Sequence, residues 1–370
     1  MKLTFYSNFL NHHQIPLCNE FYEILGDDFC FVATEPINKE RLALGYRDSN
    51  SRFPYCLSAY ASPENQQRAI DLVVESDVVI HGSAPTFYLT ERMKLNKITF
   101  KYTERLFKKW YYYFMPGFYR LYRRYTGKNL FYLCAGAYVH KDLKLISRKI
   151  NGCFRWGYFP EFLLNNAASK SENSPVELLW CGRMIKFKRP EKVIYLANKL
   201  KREKIEFHLT MIGTGDYDQK IKKMIKDRNL EEYISWKGAL PAEEVRNYMM
   251  NTDIFVCTSN RFEGWGAVLN EAMNSQCAIV ACNRIGSVPF LIEDGVNGFT
   301  FLRDRELYQS VKKLINNKAL RNDMSYKGYK VIQELWNSKV AAQRFLNLSN
   351  SIINGEVIVD YKEGPCSRIE

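Results

Sequence analysis

The chain has 370 residues, 46% of them hydrophobic and 25% charged, with a net charge of +13. That composition excludes a disordered or fibrous chain, and the length points to two domains rather than one ordinary core. The absence of any run of about 18 apolar residues argues against a spanning helix. The N-terminal MKLTFYSNFLNHHQIP lacks the apolar core and small-residue cleavage site of a signal peptide, so the expected location is cytoplasmic.

In chain order, the first half carries strand-like runs at KLTFYS, FCFVAT, DVVIHG, ITFKY and LFYLCAG. The loop after the first run, SNFLNHHQIP, groups Asn8, His12, His13 and Gln14. VVIHGSAP puts His81 at a strand end beside Gly82 and Ser83; a core histidine is the alternative reading. Between Arg92 and Arg155 stand 16 Lys and Arg against two acids, Glu104 and Asp142, so this segment carries the whole cationic excess. Within it, FKKWYYYFMPGFYRLYRR mixes rings with cations, the chemistry of a surface that docks on anionic headgroups. Nucleic acid is the rival partner, but no recognition motif accompanies the charge, and a solvated basic face is the third reading.

The polar stretch NNAASKSENSPVE, residues 165–177, reads as a linker. Beyond it the strand-like runs are VELLWCG, HLTMIG, ISWKG, DIFVCTS, CAIVAC and GFTFL. Continuous apolar runs of four to seven residues alternating with helical stretches mark buried parallel strands, hence two doubly wound α/β domains. NSKVAAQRFLNLSNSIING reads as a closing amphipathic helix, and the tail YKEGPCSRIE as loose. The ten cysteines form no CxxC pair and no Cys/His metal spacing; several lie in the apolar runs, as reduced buried thiols do.

The densest chemistry is FEGWGAVLNEAM, residues 262–273. It lies between two buried strands and starts a helix near Gly266, at the sheet edge where open α/β folds bind ligands. Gly264 and Gly266 let the backbone approach a ligand closely, and the helix start favours anions or sugar oxygens. Glu263 and Glu271 then face one ligand at two depths, as acceptors for vicinal hydroxyls. The bland alternative is dipole compensation by Glu263 and an exposed Glu271. WCGRMIKFKRP places Arg183 and Lys188 after a strand, two cations suited to a diphosphate. IGTGD repeats the strand-then-glycine theme at Gly213, and IGSVPFLIEDGVNGF adds a glycine turn and a strand with a hairpin-like approach. The acids of DYD, residues 216–218, read as a helix cap rather than a metal motif.

Taken in order, these segments resemble the nucleotide-sugar-binding domain of glycosyltransferase family 4, over residues 176–345. The resemblance implies the GT-B fold, two Rossmann-like doubly wound domains facing each other across a cleft. It sets an acceptor-side domain at 1–168, a donor domain at 174–337, and a closing helix at about 338–356 that returns to the first domain. It implies sugar transfer with retention from a UDP- or GDP-linked donor, without a metal. Arg183 and Lys188 would hold the diphosphate, Glu263 the sugar hydroxyls and Glu271 the ribose. Gly264, Trp265 and Gly266 would support sugar and phosphates, with Gly213 and Lys237 beside the nucleotide. His81 would line the active site. Asn8, His12, His13 and Glu104 are the acceptor-side candidates, since the first loop lacks the family's glycine pair. The implied role is bacterial cell-surface polysaccharide assembly, on a glycan or lipid-linked acceptor at the inner membrane face. The alternatives are a nucleotide-sugar epimerase or hydrolase of the same fold, or a non-catalytic peripheral membrane protein.

Overall fold

The computed structural model describes all residues except 38–47, 108–113, 115–118, 120–122, 126, 148, 162–174 and 370. Most of the expected linker and the centre of the basic aromatic segment, including Lys108, Lys109, Trp110, Tyr111, Tyr112, Tyr113 and Arg120, therefore lie outside the described residues. The chain divides into two compact units, Met1–Glu161 with Trp336–Glu370, and Phe162–Leu335.

The first unit is built on seven parallel strands: β1 Leu3–Ser7, β2 Phe29–Ala33, β3 Cys56–Ser58, β4 Val78–His81, β5 Thr99–Thr103, β6 Leu130–Ala135 and β7 Cys153–Trp156. Their order is β3-β2-β1-β4-β5-β6-β7. Every residue of β1, β4 and β6 is buried, because helices cover both faces of the sheet. Those helices are α1 Ile15–Leu25, α2 Pro63–Glu75, α3 Thr86–Lys94 and α4 Val139–Ile146. Local chemistry sets their starts: Ser62 Oγ accepts the Asn65 N–H at 3.2 Å, with proline in the first turn of α2. β3 and β7, CLS and CFRW, escape the sequence reading, since neither forms the continuous apolar run that marks the other strands.

The second unit holds six parallel strands: β8 Val176–Cys181, β9 Phe207–Ile212, β10 Ile234–Trp236, β11 Ile254–Cys257, β12 Ala278–Cys282 and β13 Phe299–Phe301. They are ordered β10-β9-β8-β11-β12-β13. The helices are α5 Glu191–Arg202, α6 Asp218–Lys226, α7 Ala242–Met250, α8 Val268–Asn274, α9 Val288–Leu291, α10 Asp304–Asn316 and α11 Lys318–Glu334. One expectation needs correcting here: Val288–Leu291 is a helical turn, not part of a strand, because Pro289 sits in its first turn and the Ile292 N–H closes on Val288 O at 2.9 Å. Both sheets wind outward from their first strand and return on its other side, which puts a switch point between β1 and β4 and another between β8 and β11.

The closing helix α12, Ser338–Asn354, belongs to the first unit. Its buried Phe345 packs on Phe100 at 4.9 Å, Phe21 at 5.5 Å and Trp156 at 5.9 Å between ring centroids. The tail after it is not loose. The Arg155 N–H donates to Ser367 O at 2.8 Å, Cys366 N–H to Arg155 O at 2.9 Å, and Ile369 N–H to Cys153 O at 2.8 Å. The tail thus pairs antiparallel along β7 and covers an edge that would otherwise be exposed. Arg344 of α12 secures it, donating to Glu363 O and lying 4.2 Å over the Tyr361 ring.

Candidate functional site

The strongest cluster sits where β8 and β11 end, side by side at the switch point of the second sheet. After β8 a single 3₁₀ turn, Lys186–Lys188, carries the lysine, and after β11 a loop carries Glu263. The two side chains meet at 2.5 Å, each only 14% exposed. The sequence spacing, 75 positions, says nothing of this contact; a relay of hydrogen bonds makes it. Trp180 Nε1–H donates to Thr258 Oγ1 at 2.8 Å, and Thr258 Oγ1–H donates to Lys188 O at 2.7 Å. The Asn260 N–H donates to Phe187 O at 2.9 Å and the Glu263 N–H to Asn260 O at 3.0 Å. Thr258 and Asn260 are therefore positioning residues that the sequence reading missed; a threonine directly after a buried strand was the available signal.

Two glycines set the backbone. Gly266 has φ +89°, and a Cβ there would lie 3.0 Å from Ile285 Cγ2 and 3.3 Å from Glu263 Cγ. Gly213 has φ +128°, and a Cβ would fall 2.0 Å from Gly182 O. Its N–H donates to Gly238 O at 2.6 Å, so the loops after β8, β9 and β10 touch backbone to backbone. Trp236 Nε1–H closes the same layer on Gly213 O at 2.9 Å, while Lys237 is exposed beside it.

Glu271 lies in α8, which begins at Val268, two residues past Gly266. Burial raises its pKa to about 7, against the opposing pull of Arg246 and Lys188. The field of Lys188 thus reaches both carboxylates, and the structure brings Lys188, Glu263 and Glu271 into one site. Arg183, exposed at the end of β8, forms no ion pair among the described residues. The site contains no activated thiol, since burial pushes Cys181 and Cys257 up to about 12.

The role expected of Trp265 runs through its backbone, and its side chain is accounted for elsewhere. Its side chain is fully buried, with Nε1–H donating to Asn270 Oδ1 at 2.8 Å, so it is scaffold and only its backbone borders the loop. The acids of 216–218 differ in detail: Tyr217 is the N-cap residue of α6, and the Asp218 carboxylate accepts the Gly215 N–H at 2.9 Å.

In the first unit the candidates gather at the strand ends β1, β4 and β5. Asn8 accepts from Ser7 Oγ–H at 3.3 Å, and the rings of His12 and His13 lie 3.7 Å apart. His13 packs edge-on to Tyr158 at 5.8 Å, and Tyr158 Oη–H donates to Glu104 at 3.0 Å. Tyr158, absent from the sequence reading, thus joins two of its candidates. His81 is different. It is buried, Nε2–H donates to Pro85 O at 3.1 Å, and Nδ1 accepts from Lys101 Nζ at 2.8 Å. A carbonyl has no proton and an ammonium no lone pair, so this tautomer is the one that makes both bonds. Burial and then Lys101 push His81 down to about 3, so the ring stays neutral with both nitrogens engaged. That corrects the expectation of a catalytic His81: it has no nitrogen left for a reacting group.

Two switch-point edges, one with a paired cation and carboxylate beneath glycine turns, define a two-domain Rossmann-like architecture shared with the GT-B glycosyltransferases. Residues 164–331 match the family described as glycosyl transferases group 1. Among curated proteins, the chain is 30% identical over 177 residues to the poly(ribitol-phosphate) alpha-N-acetylglucosaminyltransferase of Staphylococcus aureus strain COL, covering 46% of this chain and 34% of that one. It is 31% identical over 158 residues to the amylovoran biosynthesis glycosyltransferase AmsK of Erwinia amylovora, covering 41% and 38%. The matches therefore span about a third of each relative. Among solved structures, Anabaena Alr3699/HepE in complex with UDP superposes with a TM-score of 0.68 at 13% identity, over 95% of this chain and all of that one. TarM gives 0.60 at 20% identity, over 78% and 58%.

Proposed function

We propose that the chain transfers a sugar from a nucleoside-diphosphate donor, with retention, to a growing cell-surface polysaccharide or its lipid-linked precursor. The observation that carries this reading is the Lys188–Glu263 pair at the β8/β11 switch point, with Glu271 in the field of the same lysine. Lys188 and Arg183 take the diphosphate and stabilise the charge that develops as the bond from sugar C1 to phosphate breaks. Glu263, displaced from Lys188 by the phosphates, accepts hydrogen bonds from the sugar hydroxyls, and Glu271 accepts from the ribose. The acceptor hydroxyl forms the new bond to C1 and gives its proton to the departing diphosphate, so no metal is required. The relatives support the setting, since one is named as a poly(ribitol-phosphate) N-acetylglucosaminyltransferase and the other as a glycosyltransferase of amylovoran biosynthesis.

The first domain supplies the acceptor side, and the basic aromatic run within 92–128 holds it on an anionic membrane. No helix among the described residues is long and apolar enough to cross a membrane. Thermal shift against UDP, GDP and their glucose, N-acetylglucosamine and mannose conjugates tests the donor reading, since a ligand at 100 times its Kd stabilises by about 2.7 kcal/mol. One nucleotide series should stabilise the chain, and that sugar should be transferred to a lipid-linked acceptor. No shift with any of them overturns the donor site; hydrolysis or epimerisation without transfer overturns the transferase.

A further inference from the structure

Lys101, toward the ligand edge of the first sheet, has no carboxylate partner among the described residues. It sits on β5 in register with His81 on β4 and Tyr132 on β6, three residues of one row. Its Nζ donates to His81 Nδ1 at 2.8 Å and to Gly82 O at 2.6 Å. Both acceptors are neutral, because His81 is held in its uncharged tautomer. An ammonium has three N–H groups, and among the described residues Lys101 engages two. The residue as a whole is half-buried, while the amine itself is desolvated.

A desolvated ammonium without a counter-ion is costly to a fold, and a hydrophobic side chain of the same length would avoid that cost. Compare Arg105, also at the end of β5, whose guanidinium is matched by Asp142 at 3.0 Å. Arg92, wholly buried, is satisfied by four carbonyls, of Val73, Ser76, Asp77 and Ile98. Arg105 thus has its counter-ion, and Arg92, held by carbonyls with its Nε left unpartnered, is sealed in the core; Lys101 is held by neutral acceptors alone in a residue that keeps partial exposure. Lys101 is the third of the five residues of β5, in register with His81, the last residue of β4, so its row lies toward the C-terminal side of the sheet where ligands of such folds bind. Burial lowers its pKa to about 7, so an arriving anion would also hold the proton on the amine.

We infer that Lys101 binds a phosphate oxygen of the acceptor, so that the first domain selects phosphate-bearing acceptors over neutral ones. The inference deepens the proposed transferase reading and rests on it for the word acceptor. His81 and Gly82 act as positioning groups that aim the ammonium. Two sources share this chemistry, the phosphodiester of a polyol-phosphate chain and the diphosphate of a polyprenyl carrier.

The test uses the full chain saturated with UDP, so that Arg183 and Lys188 are occupied. Binding of a synthetic glycerol-phosphate hexamer, of farnesyl diphosphate and of a neutral trisaccharide is measured by calorimetry. Wild type should bind one of the two phosphate probes, and which one names the source. Lys101→Met should weaken that probe by roughly tenfold or more, as loss of a charge-assisted bond does, and Lys101→Arg should restore most of it. UDP affinity should stay unchanged in both. Neither phosphate probe binding to wild type, or Lys101→Met binding them as wild type does, overturns the inference. Equal loss of UDP and phosphate binding in Lys101→Met and in Lys101→Gln, with a lowered melting temperature, makes Lys101 a structural clasp instead and also overturns it. Failure of wild type to bind UDP sinks the transferase reading, and the phosphate arms, repeated without UDP, still decide the anion site.

Discussion

The two sheets share one winding, yet their ligand edges are built differently. At the β8/β11 edge opposite charges face each other, Lys188 on Glu263, and glycines bring three loops within backbone contact. At the β1/β4/β5 edge the groups are mostly neutral, His81 is locked as a donor–acceptor bridge, and one ammonium has no carboxylate partner among the described residues. The first edge pairs its lysine with a carboxylate, so a phosphate binding Lys188 has to displace Glu263. The second holds its lysine on neutral acceptors. On the proposed reading the first edge takes a diphosphate, which demands the same charges whatever sugar it carries and so writes a motif, while the second reads an acceptor and does not.

The largest effect should come from the charge pair. Lys188→Ala removes a charge-assisted phosphate contact worth about 1.5–3 kcal/mol, and both UDP affinity and transfer should fall. Glu263→Ala should lower kcat on the order of 100-fold while UDP binds as well or better, because the competing carboxylate is gone. Calorimetry with UDP beside steady-state transfer separates the two. If both variants lose UDP affinity alike, the self-neutralised edge is the wrong description.

Gly213→Ala should come next. Its Cβ would meet Gly182 O at 2.0 Å, and the strained φ adds on the order of 1–3 kcal/mol. A drop in melting temperature together with weaker UDP binding is expected. Unchanged UDP affinity would show that the β8–β9–β10 backbone layer does not shape the nucleotide site.

A subtler comparison uses pH. Burial raises the folded-state pKa of Glu271 from its ordinary value of 4.5 to about 7. Between those values the folded chain holds a proton that the unfolded chain has lost, so this group's contribution to stability falls as pH rises from 4.5 to 7 and stays lost above. Glu271→Gln should therefore be more stable than wild type at pH 8 and nearly equal to it at pH 4.5, by denaturant unfolding. It should also raise the donor KM more than it lowers kcat, as loss of a ribose contact does. A variant no more stable than wild type at pH 8 would remove the case for a desolvated carboxylate retained for binding.

The smallest effect concerns the membrane. Arg123, though exposed, donates to Ile146 O at 2.8 Å, so it is kept to spare that hydrogen bond. Replacing Lys108, Lys109, Arg120 and Arg124 with Gln should reduce co-sedimentation with anionic vesicles at low salt, at about 1 kcal/mol per charge, and leave UDP affinity untouched. Equal sedimentation of the two proteins would leave the segment a solvated face.

The sequence by itself determined the strand runs of both sheets and the loops proposed to take the donor. Strands buried on both faces must be continuous apolar runs, and KLTFYS, LFYLCAG, DIFVCTS and CAIVAC cannot be anything else inside an alternating chain. Arg183, Lys188 and Glu263 were legible as candidates because each stands within seven residues of a strand end, where local spacing decides position, and Glu271 because it falls in the helix that follows. Only the tertiary structure decided what those side chains meet. Lys188 finds Glu263 through Trp180 and Thr258, 78 positions apart; Trp265 turns inward to Asn270; His81 gives its ring to Pro85 and Lys101. The tail looked loose because four residues show no period, yet the edge of β7 offered it unpaired N–H and C=O groups. Periodicity is a property of one segment and survives in the sequence, whereas pairing is a property of two segments and appears only when the chain has brought them together.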